Sequence, residues 1–149
     1  MSYLICSIAL VVLIIAMPYF YSLEVKEITT KATRAELLEI ADYTSNTLAN
    51  LYYLANSTTA IDMNLTKELI YLPLTVQDSF YNLAISSTGD NASKITATLR
   101  DNPNIASESW LVPGLKIERD TSVEVSGKLV VVGCYWNGAS YCVWLGASG

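Results

Sequence analysis

The sequence contains no histidine. That removes the commonest general base, the usual activator of a serine or cysteine nucleophile, and the commonest neutral metal ligand. Asp, Glu, Lys or Tyr chemistry stays open, so the absence weakens an enzyme reading without excluding it. Charge is scarce as well: Asp, Glu, Lys and Arg make up 15% of the chain, against roughly 25% in an ordinary soluble domain. The nine Lys and Arg are scattered, no two are adjacent, and the net charge is −5. No basic face is present to neutralise phosphates, which argues against a nucleic-acid partner. Phosphate-binding glycine loops, EF-hand loops, HExxH and GxSxG are also missing. Asp90, Asp101, Glu108, Asp120 and Glu124 are dispersed among turns and strand ends and read as solvated surface. No catalytic residue, metal site or cofactor is expected.

The longest gap in charge lies at the start. From Met1 to Leu23, MSYLICSIALVVLIIAMPYFYSL carries no Asp, Glu, Lys or Arg; then Glu24, Lys26 and Glu27 arrive together. A secretory signal would need a basic residue before the apolar run and small residues at its end, and neither is there. A transmembrane helix needs about 20 apolar residues, which Tyr3 to Leu23 supplies. Pro18 is tolerated near one end of such a helix, and Tyr19, Phe20 and Tyr21 form an interfacial aromatic belt. Cys6 reads as a small apolar filler.

Glycine is the next absence. None occurs between Leu4 and Asn56, and Pro18 is the lone proline there. Val25, Ile28, Ala32, Ala35, Leu38, Ala41, Ser45, Leu48, Tyr52 and Ala55 recur at spacings of three and four, the signature of a helical stripe. KATRAELLEIADY at 31–43 consists mostly of strong helix formers, and NSTT at 56–59 gives a stop signal. The apolar and amphipathic segments are therefore expected to form one helix of about 53 residues, near 80 Å long. The remaining body is expected to be too small to cover such a stripe, which leaves other copies of the chain as its cover.

Beyond Ala60 the helical period gives way to β signals. Strands are expected at 72–76, 79–86, 94–99, 115–119, 121–126, 129–136 and 140–146. Turn residues separate them at 87–93, 101–104, 112–114, 126–127 and 137–138. Short strands at this spacing predict a small antiparallel sandwich or barrel. The fold class is thus α+β: a long N-terminal α-helix, hydrophobic then amphipathic, over 1–56, and an antiparallel β-sandwich head over 57–149.

GCYWNGASYCVW is the clearest local motif. Asn137-Gly138 signals a hairpin, and Cys134 and Cys142 are placed to face each other across a three-residue loop. A structural disulfide between them is expected, with reduced thiols as the alternative. Such a bridge would imply an oxidising compartment or a hyperthermophilic cell. A zinc site would lack ligands, and the spacing is not CxxC. Asn56, Asn64 and Asn91 each open an N-x-S/T triplet, where one or two would arise by chance among nine Asn. They are candidate glycosylation sites or plain solvated turn residues.

A hydrophobic N-terminal helix that continues as an amphipathic one and carries a small β-rich head resembles archaeal type IV pilins and archaellins. The resemblance rests on SYLICSIALVVLIIAMPYFYSLEV, on the stripe to Ala55 and on the strands up to Leu145. It is a likeness of architecture and covers the whole chain; it is not a motif match. Family members are made with a short basic leader cut just before the apolar helix, so the resemblance implies a mature form with the leader removed. Ile5 stands where bacterial members carry a glutamate, as is commoner in archaeal ones.

The resemblance implies that the subunit waits in the membrane, is extracted by a pilus assembly machinery, and joins a helical homopolymer outside the cell. The polymerisation core would be Leu4, Ile8, Val11, Leu13, Ile15, Tyr19, Val25, Ile28, Ala32, Ala35, Leu38, Ala41, Leu48 and Tyr52. A role in surface adhesion is expected over swimming, since the head is small. The alternative is a single-pass, membrane-anchored extracellular binding domain.

Overall fold

A computed structural model of the chain describes residues 2–58, 63–89, 91–117 and 121–148, with nothing described of the Ser2 and Leu4 side chains. Helix α1 runs Ser2–Ser57 without a break. Its lack of glycine and its run of helix formers account for that continuity. Pro18 lies inside it, and the missing N–H removes one bond from the helical ladder. Ser22, Thr29 and Thr30 return their hydroxyls to carbonyls three or four residues back, at 2.8–2.9 Å, so these polar side chains are satisfied within the helix.

Eight strands follow: β1 Asn64–Glu68, β2 Tyr81–Thr88, β3 Asn91–Leu99, β4 Ala106–Trp110, β5 Lys116–Ile117, β6 Ser122–Val125, β7 Val130–Trp136 and β8 Tyr141–Ala147. They form one sheet in the order β1-β7-β8-β5-β3-β2-β6, with β4 beside β3. All pairings are antiparallel except β5 with β8. Beyond these pairings, β6 and β2 also come close to β8. The α+β class and the order of helix then β head are as the sequence predicts.

Three strand assignments differ. Residues 72–76 are not a strand: they lie in the β1–β2 connection, which holds Pro73 and closes on a two-residue turn at Gln77-Asp78. β1 and β4 went unpredicted because NLTKE and ASESW have no apolar alternation; both are largely exposed strands whose order comes from pairing with β7 and β3. Of the expected strand at 115–119, Lys116 and Ile117 are strand, Leu115 is not, and 118–119 lie outside the described residues.

The chain divides into two compact units, Met1–Ala32 and Thr33–Gly149. The division falls within α1 because residues from Thr33 onward have a sheet to cover them. Leu37, Ile40, Ala41, Leu48 and Leu51 of α1 pack into one core with Tyr81, Leu83, Ile95, Ala97, Val123, Val125, Val132 and Leu145 of the sheet. The strands bury alternate residues, as a sheet with one covered face must. On adjacent strands Tyr81 lies opposite Leu99 and Val125, and Leu83 opposite Ala97 and Val123. Hydrogen bonds fix the helix to this layer. Ser45 Oγ donates to the Trp110 carbonyl (2.6 Å), Ser107 Oγ to the Arg34 carbonyl (2.7 Å) and the Tyr141 hydroxyl to the Ala55 carbonyl (3.2 Å).

Candidate functional site

The large apolar side chains described in the unit Met1–Ala32 lie in the open. Tyr3, Ile5, Ile8, Leu10, Val11, Val12, Leu13, Ile14, Ile15, Met17, Tyr19, Phe20, Tyr21, Leu23, Val25 and Ile28 are all exposed, Leu13 to 56% and Ile15 to 68%. Covering a side chain of this size is worth about 1.5–3 kcal/mol each, so full cover would contribute on the order of tens of kcal/mol. α1 is long and apolar enough to cross a membrane. Apolar contacts between copies can replace lipid at no transfer cost, because lipid tails are as apolar as leucine. Ala9 and Ala16 supply small positions where two helices can approach closely.

Charge begins where this run ends. Lys31 bonds Glu27 one turn back at 2.8 Å. That hydrogen bond, then the Coulomb attraction of the same ammonium, holds the Glu27 carboxyl below the usual range. Both groups are exposed, so the pair adds little to stability.

The expected polymerisation core is divided by the structure. Ile8, Val11, Leu13, Ile15, Tyr19, Val25, Ile28, Ala32, Ala35 and Leu38 are exposed and available to a partner. Leu4's side chain lies outside the described residues. Ala41 and Leu48 are buried and Tyr52 is half-buried within the chain's own head, so these three are not free for contacts with other copies. The head thus covers the stripe from Ala41 onward and leaves Val25, Ile28, Ala32, Ala35 and Leu38 exposed. The residues that seat α1 on the head, Leu37, Ile40 and Leu51 among them, were absent from the predicted stripe. Their signal was present as a second row at helical spacing, Thr33, Leu37, Ile40, Thr44, Leu48, Leu51 and Ala55.

The disulfide is corrected too. Cys134 and Cys142 are both buried, and no disulfide joins them in the structure. Cys134 lies opposite Val143, and Cys142 opposite Tyr135. Directly opposed residues share a face and successive ones alternate, so the two sulfurs project from opposite faces of the β7–β8 ladder. The loop has four residues, 137–140, one more than expected, and that shifts the register. Asn137 organises it: its Oδ1 accepts the Ala139 and Ser140 N–H groups at 3.0 and 2.9 Å, and its Nδ2 donates to Cys142 Sγ at 3.3 Å. Burial, and after it the nearby Cys142, pushes the Cys134 thiol up to about 11.

The three sequon asparagines are exposed: Asn56 in the last turn of α1, Asn64 and Asn91 at the starts of β1 and β3. Asp101 is exposed and Glu108 and Glu124 are ion-paired to Lys94 and Arg100; Asp90 and Asp120 lie outside the described residues. Among the described residues no group of three or more Cys, Asp or Glu could hold a metal ion. Comparison with protein-family models, with characterised proteins and with solved structures gave no match.

Proposed function

We propose that the chain is the structural subunit of an extracellular filament of the type IV pilus kind, polymerising through the first part of α1 and serving surface adhesion. Before assembly the subunit sits in the membrane by the same helix, and an assembly machinery draws it out. The protein acts by polymerising and presenting its head; it is not an enzyme. The observation that carries this reading is the exposure of every large described apolar side chain from Tyr3 to Ile28, beside a head complete enough to cover residues 33–55. Asn56, Asn64 and Asn91 would then face outward on the filament, where glycans have room.

Electron microscopy of the full chain after detergent removal tests the reading. Filaments are expected, and Leu13→Asp should abolish them by placing an unpaired charge in the apolar core. Normal filaments from Leu13→Asp would overturn the assignment of the core.

One observation favours a second reading. The head covers its own stretch of α1, so it needs no other copy to be complete. A single-pass, membrane-anchored binding domain would have that property. It predicts monomers in detergent and vesicles that never convert to filaments, with function retained by a head freed of residues 1–23.

A further inference from the structure

We propose that a groove on the head receives a second copy of this chain through the α1 face bearing Tyr19, Leu23 and Lys26, with Lys26 paired to Glu36 and Glu39. The proposal rests on the filament reading and names how neighbouring copies register. The groove has a volume of about 390 Å³ and lies between Glu36, Glu39, Ile40 and Tyr43 of α1 and Tyr71, Leu72 and Pro73 of the β1–β2 connection. Tyr43 and Tyr71 meet edge to face across it, with ring centres 6.2 Å apart. Tyr71 in its wall is 79% exposed, and Ile70 and Leu74 of the same connection are exposed as well. Gln77 Nε2 donates to Glu36 Oε1 at 3.0 Å, which fixes that carboxylate and leaves its second oxygen available. The ion pairs among the described residues are Lys31–Glu27, Lys94–Glu108 and Arg100–Glu124, so neither groove carboxylate faces a cation.

An acidic groove with aromatic and aliphatic walls fits a cation carried on an apolar body. The chain supplies one. Lys26 is the first cation in the sequence, and it shares a helix face with Leu23 and Tyr19, three and seven residues before it, both exposed. Its ammonium has no ion pair among the described residues, whereas its neighbour Lys31 is held by Glu27. Assembly through residues 3–28 would bury Lys26 beside apolar side chains, and an unpaired buried ammonium is strongly unfavourable. Glu36 and Glu39 remove that penalty. Neighbours on a helix surface are three or four residues apart, whereas Glu36 and Glu39 follow Lys26 by ten and thirteen. The pairing therefore joins two copies.

The test uses full-length chain assembled from an equal mixture of isotopically heavy and light protein. Zero-length carbodiimide cross-linking should yield heavy–light peptide pairs joining Lys26 to Glu36 or Glu39. Lys26→Glu should lower polymer yield by at least about tenfold, since like charges would now meet in the groove. Glu36→Lys with Glu39→Lys should do the same, and the triple variant should return to within about twofold of the native yield. Polymer that cross-links Lys26 only to other carboxylates, or a triple variant no better than Lys26→Glu, overturns the pairing. Filaments formed undiminished by Lys26→Glu sink the pairing and leave the filament reading standing. A native chain that never polymerises removes both.

Discussion

Leu37 and Leu38 are neighbours in sequence but one is fully buried against the sheet while the other is 43% exposed. Replacing each by alanine separates the helix face that belongs to the head from the face left to other copies. Leu37→Ala removes a fully buried side chain from a close-packed core, which costs about 3–5 kcal/mol including the cavity left behind. The compact unit that holds Leu37 spans residues 33–149. At about 2.1 cal/mol/K per residue, a loss of 3 kcal/mol lowers its Tm by roughly 12 °C. Leu38→Ala should change Tm by less than about 2 °C, since substitutions at partly exposed positions stay within about 0.5 kcal/mol. Thermal unfolding of the full chain in detergent, followed by near-UV circular dichroism, reads both. Equal losses, or a larger one for Leu38→Ala, would refute the placement of the covered face.

Four further outcomes can be measured. Cys134 and Cys142 should resist alkylation in the folded protein while exposed Cys6 reacts, and intact mass should not change on reduction. Because folding raises the Cys134 thiol to about 11, the unfolded chain releases that proton first. Head stability should therefore be level below about pH 8.5 and fall as pH rises toward 11, by about 1.4 kcal/mol per unit within that window; a rise in Tm across it would contradict the buried neutral thiol. Gly133→Ala places a methyl inside the Trp144 indole, which lies flat over Gly133 and Gly146, and should cost about 1–3 kcal/mol and alter tryptophan emission. Gln77 and Asp78 both take left-handed backbone, φ 50° and 62°, in the turn between Val76 and Ser79. Asp78→Gly should raise stability by up to about 1 kcal/mol in urea unfolding, and a loss would show that the Asp78 side chain supports the turn.

What the sequence reveals depends on how much of each signal is local. Continuity of α1 was legible because glycine is absent and charge is withheld until Glu24. Strands β2, β3, β6, β7 and β8 were legible from β-branched and aromatic alternation. β1 and β4 were not, since Asn64–Glu68 and Ala106–Trp110 owe their order to partners far along the chain. The stripe through Val25, Leu38 and Ala55 misled for a measurable reason. It covers thirty residues in nine steps, about 3.3 per step, and a helix turns once per 3.6, so the row winds around α1. The covered row from Thr33 to Ala55 takes twenty-two residues in six steps, about 3.7 per step, and stays on one face. Cys134 and Cys142 failed similarly: one extra loop residue reverses the face of every side chain after it. The groove was not legible at all, because Tyr71 meets Tyr43 only once the β1–β2 connection folds back on α1.

The division of α1 also bears on what decides assembly. Residues 33–55 are stabilised by their own sheet whether or not another copy is present. Residues 3–23 are apolar on every side, and such a surface is served almost equally by lipid or by other helices. Greasiness alone then gives neither a direction nor a register. The groups that discriminate between lipid and protein are those that lipid cannot satisfy, and the first of them in the chain are Glu24, Lys26 and Glu27. Glu27 is satisfied locally by Lys31. In the proposed pairing Lys26 draws the helix toward a carboxylate, and the carboxylates that line the groove are Glu36 and Glu39. On the filament reading, the apolar run would supply affinity without preference, and a few charged groups just beyond its end would set the register.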